Sequence, residues 1–188
     1  MKLVDIFHKL DGFTDKYDLG YIDTFYDELF APYRESATNV LEIGIHKGGS
    51  LELWEKYFTQ ATITGIDPNP LDNLPPNERI VKLVRDAYTQ ETISLFGENS
   101  FDIIIDDGPH DNQTQEYFLK EYFKLLKPGG LLVLEDIVNI DNMDNLLKLI
   151  DTDRAEYNIY EMAGLQKTEE LLSAWSQGLN VIVVRKVS

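Results

Sequence analysis

From about residue 37 onward, short apolar runs alternate with stretches whose apolar residues return every three or four positions. The runs are Val40–Ile43, Ala61–Ile66, Ile80–Val84, Phe101–Ile105 and Leu131–Leu134, and each gives way to a turn or an acid. Between them, Leu51–Phe58, Thr89–Phe96 and Thr114–Leu126 carry helical spacing, the last closed by Lys127-Pro128-Gly129-Gly130. Continuous apolar strands alternating with helices predict a parallel sheet covered on both faces. Residues 1–36 read as helical: Leu3, Ile6, Phe7 and Leu10 lie on one face, and a break follows at Asp11-Gly12. A second helical pattern runs from Gly20 to Arg34, with Ile22, Phe25, Tyr26, Leu29 and Phe30 as its apolar side. Downstream come a helix over Met143–Ile150 and strands over Tyr157–Met162 and Val181–Arg185. Gly164, a polar helix and Gly178 separate those two strands, which are expected to pair antiparallel at the sheet edge. The expectation is an α/β fold, 1–188 as one domain, with a helical segment over 1–36 and the sheet core over 37–188. Its sheet has seven strands, mostly parallel, with an antiparallel edge strand and helices on both faces.

Composition narrows the function. A chain of 188 residues is long enough to bury such a sheet. No apolar run approaches the roughly 20 residues of a membrane span, and Asp5 and His8 follow Met1 too soon for a signal peptide. With no cysteine, disulfides, thiolate metal sites and a cysteine nucleophile are excluded, and a cytoplasmic location is expected. A net charge of −16 argues against nucleic acid, whose binding relies on Lys and Arg against phosphate. A small molecule is the expected partner, no membrane is, and self-association is left open.

The candidate chemistry sits where strands end. Val40–Ile43 runs into Gly44-Ile45-His46-Lys47-Gly48-Gly49-Ser50 and then a helix, a junction where backbone N–H groups and a helix N-terminus meet. A dinucleotide fingerprint needs glycine where His46 stands, which disfavours an oxidoreductase. A phosphate loop counted from Gly44 needs Lys and Ser/Thr where Ser50 and Leu51 stand. Glu42-x-Gly44-x-x-x-Gly48 remains, and it resembles the first motif of the class I S-adenosylmethionine-dependent methyltransferases, implying their Rossmann-like fold. All five central strands end in or beside acids: Glu42, Asp67, Asp86, Asp106-Asp107 and Glu135-Asp136. Asp67, at the end of the second strand, suits the two ribose hydroxyls of a nucleoside. Asp86 suits an exocyclic amine, and the Ala87 N–H a ring nitrogen. Glu42, Gly44, Gly48, Ser50, Asp67, Asp86, Ala87 and Asp106 form the expected cofactor-binding set. Asp107, Glu135 and Asp136 come from neighbouring strands and, with no thiolate nearby, describe a site for Mg²⁺, Mn²⁺ or Ca²⁺. His110, three residues past Asp107, could take a proton there.

Further residues carry a closer resemblance. Leu41-Glu42-Ile43-Gly44, Gly48-Gly49-Ser50-Leu51, Trp54, Tyr57-Phe58 and Gly65-Ile66-Asp67 look like the metal-dependent macrolide-sugar O-methyltransferases of the macrocin and mycinamicin type. So do Asp106-Asp107-Gly108-Pro109-His110, Leu126-Lys127-Pro128-Gly129-Gly130 and Glu135-Asp136, and upstream Thr14-Asp15-Lys16. The resemblance implies Mg²⁺ held by Asp107, Glu135 and Asp136, with His110 as base. It further implies an S-adenosylmethionine-dependent O-methyltransferase acting on a sugar or vicinal diol hydroxyl, of the kind met in natural-product biosynthesis. Two positions depart from the pattern: Pro109 stands where serine is common, and Gly20 stands near where a histidine is often found. Two alternatives share this fold: a branch typified by cephalosporin hydroxylases, and a non-catalytic S-adenosylmethionine-binding protein.

Overall fold

The computed structural model describes residues 1–10, 14–70, 76–138, 140–162, 165, 166, 168 and 179–187. The expected break at Asp11-Gly12, part of the proline-rich loop after Asp67, and the Gly164, polar-helix and Gly178 segment lie outside them.

Seven strands form one sheet: β1 (Asn39–Ile43), β2 (Thr62–Asp67), β3 (Ile80–Val84), β4 (Phe101–Asp106), β5 (Leu126–Ile137), β6 (Ala155–Glu161) and β7 (Asn180–Lys186). Their order is β3-β2-β1-β4-β5-β7-β6. Pairing is parallel from β3 through β5 and antiparallel for β5–β7 and β6–β7, so the antiparallel pair closes one side of the sheet. The chain leaves β1 for β2 on one side and returns to β4 on the other, which opens a crevice at the carboxyl ends of β1 and β4.

The pleat divides the core cleanly. Val40, Ile103, Ile105, Leu131, Val133, Val181 and Val183 face one apolar layer. Leu41, Ile104, Leu132, Leu134, Ile182 and Val184, the alternate positions, face the other. Against the first layer pack α1 (Leu3–Phe7), α2 (Asp27–Phe30) and α3 (Gly49–Tyr57). Tyr26 and Phe30 meet the buried Trp54 edge-on, with centroids at 5.2 and 5.5 Å, which locks the N-terminal segment onto α3. Against the second pack α4 (Gln90–Ile93), α5 (Asn112–Glu121) and α6 (Ile140–Leu147).

Three elements differ from the sequence reading. The helix expected over Gly20–Arg34 is broken into a π-helical turn at Ile22–Tyr26, then α2, then a 3₁₀ turn at Ala31–Tyr33 that contains Pro32. The helix expected over Thr114–Leu126 ends at Glu121 and tightens to 3₁₀ over Tyr122–Leu125, where Tyr122 donates to the Ala87 carbonyl at 2.7 Å. Strand β5 starts at Leu126, five residues before the predicted core of Leu131–Leu134, and Leu126 pairs with Phe101 before the register shifts.

Candidate active site

The turn after β1 needs glycine. Gly44 has φ +77°, and a Cβ there would lie 1.9 Å from the Asp107 carbonyl oxygen. Gly48, at φ +84°, caps α3. The carbonyl of Ile43 accepts from Asp107 N at 2.9 Å, so the β1 turn and the end of β4 are seated on each other. Beside them opens a cavity of about 440 Å³, lined among others by Gly44, His46, Asp67, Asp86, Ala87, Tyr88, Asp107 and His110. Its size and mixed polarity suit a nucleoside-sized ligand.

Of the expected cofactor residues, Gly44, Asp67, Asp86 and Ala87 line this cavity, whereas Glu42, Gly48, Ser50 and Asp106 do not. Ser50 borders a narrow adjoining niche with His46 and Lys47. Asp67 shapes the loop: Oδ2 accepts from Ile45 N at 3.1 Å and His46 N at 3.3 Å, and Oδ1 from Asn69 N at 2.8 Å. Asp86 Oδ1 accepts from Tyr88 N at 2.8 Å. Asp106 is buried, takes the Tyr88 hydroxyl at 2.5 Å, and is pushed up to about 7 by burial.

Strand parity explains where Glu42 went. Leu41 and Ile43 face the second apolar layer, so Glu42 points to the opposite face, under the N-terminal segment. There it is wholly buried, and it accepts from Ser50 Oγ at 2.7 Å. Burial raises its pKa against the pull of Lys16 and Ser50. The same parity splits the neighbouring acids Asp106 and Asp107. Asp106 follows Ile104 toward Tyr88, and Asp107 follows Ile105 toward Lys16. Glu135 follows Val133 to the Lys16 side as well. Asp136 would alternate away, but its backbone turns left-handed at φ +53°, where the β5–β7 register shifts. Its side chain is thereby brought back to the cluster.

Lys16 sits at the centre of this cluster with 1% exposure, its Nζ 2.6 Å from Asp107 Oδ2, 2.8 and 2.9 Å from the Glu135 oxygens and 3.6 Å from Glu42 Oε1. Burial works against its charge, but Asp107, Glu135 and Glu42 outweigh it and hold the pKa well above the ordinary lysine value. Glu135 also accepts from the Tyr26 hydroxyl, and Asp136 Oδ1 from the Tyr21 hydroxyl at 2.5 Å. Burial, then the facing carboxylate, raises both tyrosines well above their ordinary value, so each keeps its proton and donates. Burial raises Asp107 too, against Lys16 and with help from Glu135 and Asp136, and pushes Glu135 up to about 7.

Asp107, His110 and Asp136 each bring one donor atom within 4.8 Å of the others. His110 Nε2 lies 3.7 Å from Asp107 Oδ1 and 3.6 Å from Asp136 Oδ2. Its left-handed backbone, φ +61°, aims it there, just ahead of the Asp111 cap that accepts from Gln113 N and Thr114 N and opens α5. Burial lowers the His110 pKa, outweighing Asp136, so the ring is neutral near pH 7. Glu135, the third acid of the expected ligand set, accepts from Lys16 Nζ at both oxygens.

Sequence reading assigned no role to Lys16, Tyr21, Tyr26 or Tyr88. Thr14-Asp15-Lys16 had flagged the first as part of a motif, but nothing local says which acids it meets. Tyr21 and Tyr26 flank a π-helical turn, whose wider winding brings residues five apart onto one side.

A family model described as a methyltransferase domain matches residues 41–137, just over half of the chain. Demethylmacrocin O-methyltransferase of Streptomyces fradiae is 35% identical over 130 residues, 63% of this chain and 32% of that one. The 8-demethyl-8-alpha-L-rhamnosyl tetracenomycin-C 2'-O-methyltransferase of Streptomyces olivaceus is 31% identical over 134 residues, 66% of this chain and 35% of that one. The chain thus spans about a third of the length of the curated relatives it matches. Among solved structures, the MycE methyltransferase of the mycinamycin pathway, in complex with Mg, SAH and mycinamycin VI, superposes with a TM-score of 0.73 at 26% identity. That match covers 100% of this chain and 55% of that one. Among the described residues, no helix is long and apolar enough to cross a membrane.

Proposed function

The chain belongs to the methyltransferase-domain family, and on that premise we propose that it is an S-adenosylmethionine-dependent O-methyltransferase acting on a sugar or vicinal diol hydroxyl, with a divalent cation at its site. The observation that carries this reading is the meeting of Asp107 Oδ1, Asp136 Oδ2 and His110 Nε2 at the rim of the cavity that also holds the Gly44 turn and Asp67. Relatives named as O-methyltransferases of glycosylated natural products, and a neighbour solved with Mg and SAH, support it.

The residues fit both groups. Gly44 lets the turn close against the Asp107 carbonyl beside the cavity, and Asp67, Asp86 and the Ala87 N–H offer the polar edges that ribose and adenine need. Asp67 would meet a ribose with oxygens already engaged by the loop, so cofactor and loop would be held by one carboxylate. Two carboxylate oxygens without any sulfur donor match the preferences of Mg²⁺, which is commonly held by one or two carboxylates with water and substrate completing its shell. Asp107 and Asp136 would hold it.

When bound, S-adenosylmethionine supplies the methyl on an activated sulfonium. A divalent cation beside it would lower the pKa of an acceptor hydroxyl. The protein's own contribution is positioning and one proton transfer. His110, 30% exposed and neutral near pH 7, can accept the acceptor's proton at Nε2. Holding acceptor oxygen and methyl at near-attack distance would supply much of the acceleration.

Incubation with S-adenosylmethionine, MgCl₂ and a panel of rhamnosides and vicinal diols, followed by mass spectrometry, tests this. S-adenosylhomocysteine and a methylated acceptor should form together and stop forming in EDTA. Turnover indifferent to EDTA would remove the cation from the reading. Cofactor binding with no turnover on any hydroxyl would favour the non-catalytic alternative, and NAD binding in place of S-adenosylhomocysteine would sink the proposal.

A further inference from the structure

Tyr88 stands between the two ends of the cavity. It follows Asp86 and Ala87, the edges offered to a nucleobase, and it lines the cavity together with Gly108, Pro109 and His110. Both of its ends are held. Its N–H donates to Asp86 Oδ1 at 2.8 Å, and its hydroxyl donates to Asp106 Oδ1 at 2.5 Å, 18 residues along the chain. Burial, then Asp106, raises the Tyr88 hydroxyl well above its ordinary value, so it keeps its proton and donates. Tyr122 secures the same turn by donating to the Ala87 carbonyl at 2.7 Å.

The turn that carries His110 rests on the Tyr88 hydroxyl. A Cβ at Gly108 would lie 2.0 Å from that oxygen and 3.0 Å from Asp106 Oδ1, so the close approach itself requires glycine. From Gly108 the chain reaches His110 through Pro109, whose ring fixes its own φ and disfavours helical backbone at Gly108. Pro109 is also a departure from the family pattern, standing where serine is common. This short, stiff link ends in the left-handed backbone of His110, φ +61°, which its surroundings must hold in place.

We propose that Tyr88 is a positioning residue for His110: its hydroxyl, anchored on Asp106, is the seat from which the Gly108-Pro109 link aims the imidazole. Its backbone, anchored on Asp86, ties that seat to the nucleobase end of the cavity. The inference rests on the methyltransferase reading above, with His110 as base. It also gives Asp106 work outside the cofactor set, as the anchor of the Tyr88 hydroxyl.

Steady-state kinetics of the whole chain with S-adenosylmethionine, MgCl₂ and the best acceptor of the panel test it. Tyr88→Phe keeps the ring and the backbone N–H and loses only the hydroxyl. It should lower kcat by about 10–100-fold, as a misplacement near 1 Å can. The acceptor KM should change little, because the lost interaction acts on the reacting geometry. Tyr88→Phe strands a buried acid, so it is paired with Tyr88→Phe/Asp106→Asn, whose folding is checked by S-adenosylhomocysteine binding. The double variant should stay slow, whereas a role confined to satisfying Asp106 would restore wild-type kcat there. Gly108→Ala sets a methyl against the hydroxyl, so its loss in kcat should be at least about threefold smaller in the Tyr88→Phe background, as for residues in contact. In the ligand-free protein, which has three histidines, NMR resonances of the His110 ring, assigned by difference with His110→Ala, should shift in Tyr88→Phe while those of His8 stay. A kcat within a few fold of wild type, recovery in the Asp106→Asn pair, additive losses with Gly108→Ala or unmoved His110 resonances would each overturn the inference, while wild-type turnover leaves the methyltransferase reading standing. A wild type that methylates no hydroxyl would overturn that reading, and the inference with it.

Discussion

The two halves of the cavity are built by different means. On the β1–β3 side, the wall is backbone shape: a glycine turn, a loop pinned by Asp67, and the short turn after Asp86. Every bond there joins residues close in sequence or on adjacent strand ends. On the β4–β5 side the chemistry is buried charge, held by donors from the N-terminal segment: Lys16 reaches Asp107 across 91 residues and Glu135 across 119. A local arrangement survives the loss of any one contact as a loosened loop. A buried charge network does not, because each member left alone is an uncompensated charge or an unmet donor.

This contrast sets the order of expected effects. On the charged side, His110→Ala should lower kcat by roughly 10²–10⁴-fold, the usual loss for a general base, with Mg²⁺ uptake by calorimetry little changed. A rate within a few fold of wild type would mean that the proton leaves by another route. On the backbone side, Asp67→Ala should weaken S-adenosylhomocysteine by about 1–3 kcal/mol, the cost of truncating a charged hydrogen-bonding partner. An unchanged affinity would reduce Asp67 to a turn former.

The smallest effect compares the two faces of the β4–β5 side, since each holds one acid that burial pushes up to about 7: Asp106 toward Tyr88 and Glu135 toward Lys16. A raised folded pKa gives stability that is fully present below the ordinary carboxylate range and lost as pH rises through about 7. His110, whose pKa is lowered, works the other way: its contribution is present above the ordinary histidine value and fades as pH falls below it. Glu42 and Asp107, which burial also raises, act in the same direction as these two acids, and together they outweigh one imidazole, so the metal-free protein should melt at a lower temperature at pH 8 than at pH 5.5. Asp106→Asn should flatten that decline in part, and the remainder belongs to the Glu135 side. A wild-type profile that rises across this range would contradict the assignment.

Legibility in the sequence follows the same division. The apolar runs gave the five parallel strands and their acid ends because each is encoded within a few residues, and the antiparallel pairing of β6 with β7 was legible from their spacing. Glu42 shows where local reading stops. It was placed with the cofactor because it borders the glycine turn, yet strand parity turns it under the N-terminal helices, and parity shows only once a face is known. Asp136 escaped parity through a left-handed backbone that no neighbouring residue announces. Tyr26 reads as apolar by spacing, and its ring does pack on Trp54, but its hydroxyl serves Glu135. The π-helical turn that brings Tyr21 and Tyr26 to one side meets carboxylates more than a hundred residues away.

Gly44 ties the two halves together mechanically. With the Asp107 carbonyl resting where a Cβ would be, and Asp107 N bonded to the Ile43 carbonyl, the turn proposed to face the cofactor and the acid proposed to face the cation share one backbone contact. Any ligand that shifts the turn shifts the acid. Thermodynamic linkage then requires reciprocity: whatever factor the nucleoside imposes on cation affinity, the cation imposes on nucleoside affinity. The dissociation constant of either has meaning only at a stated concentration of the other, and titrating each at several fixed levels of its companion reads how stiff that one contact is.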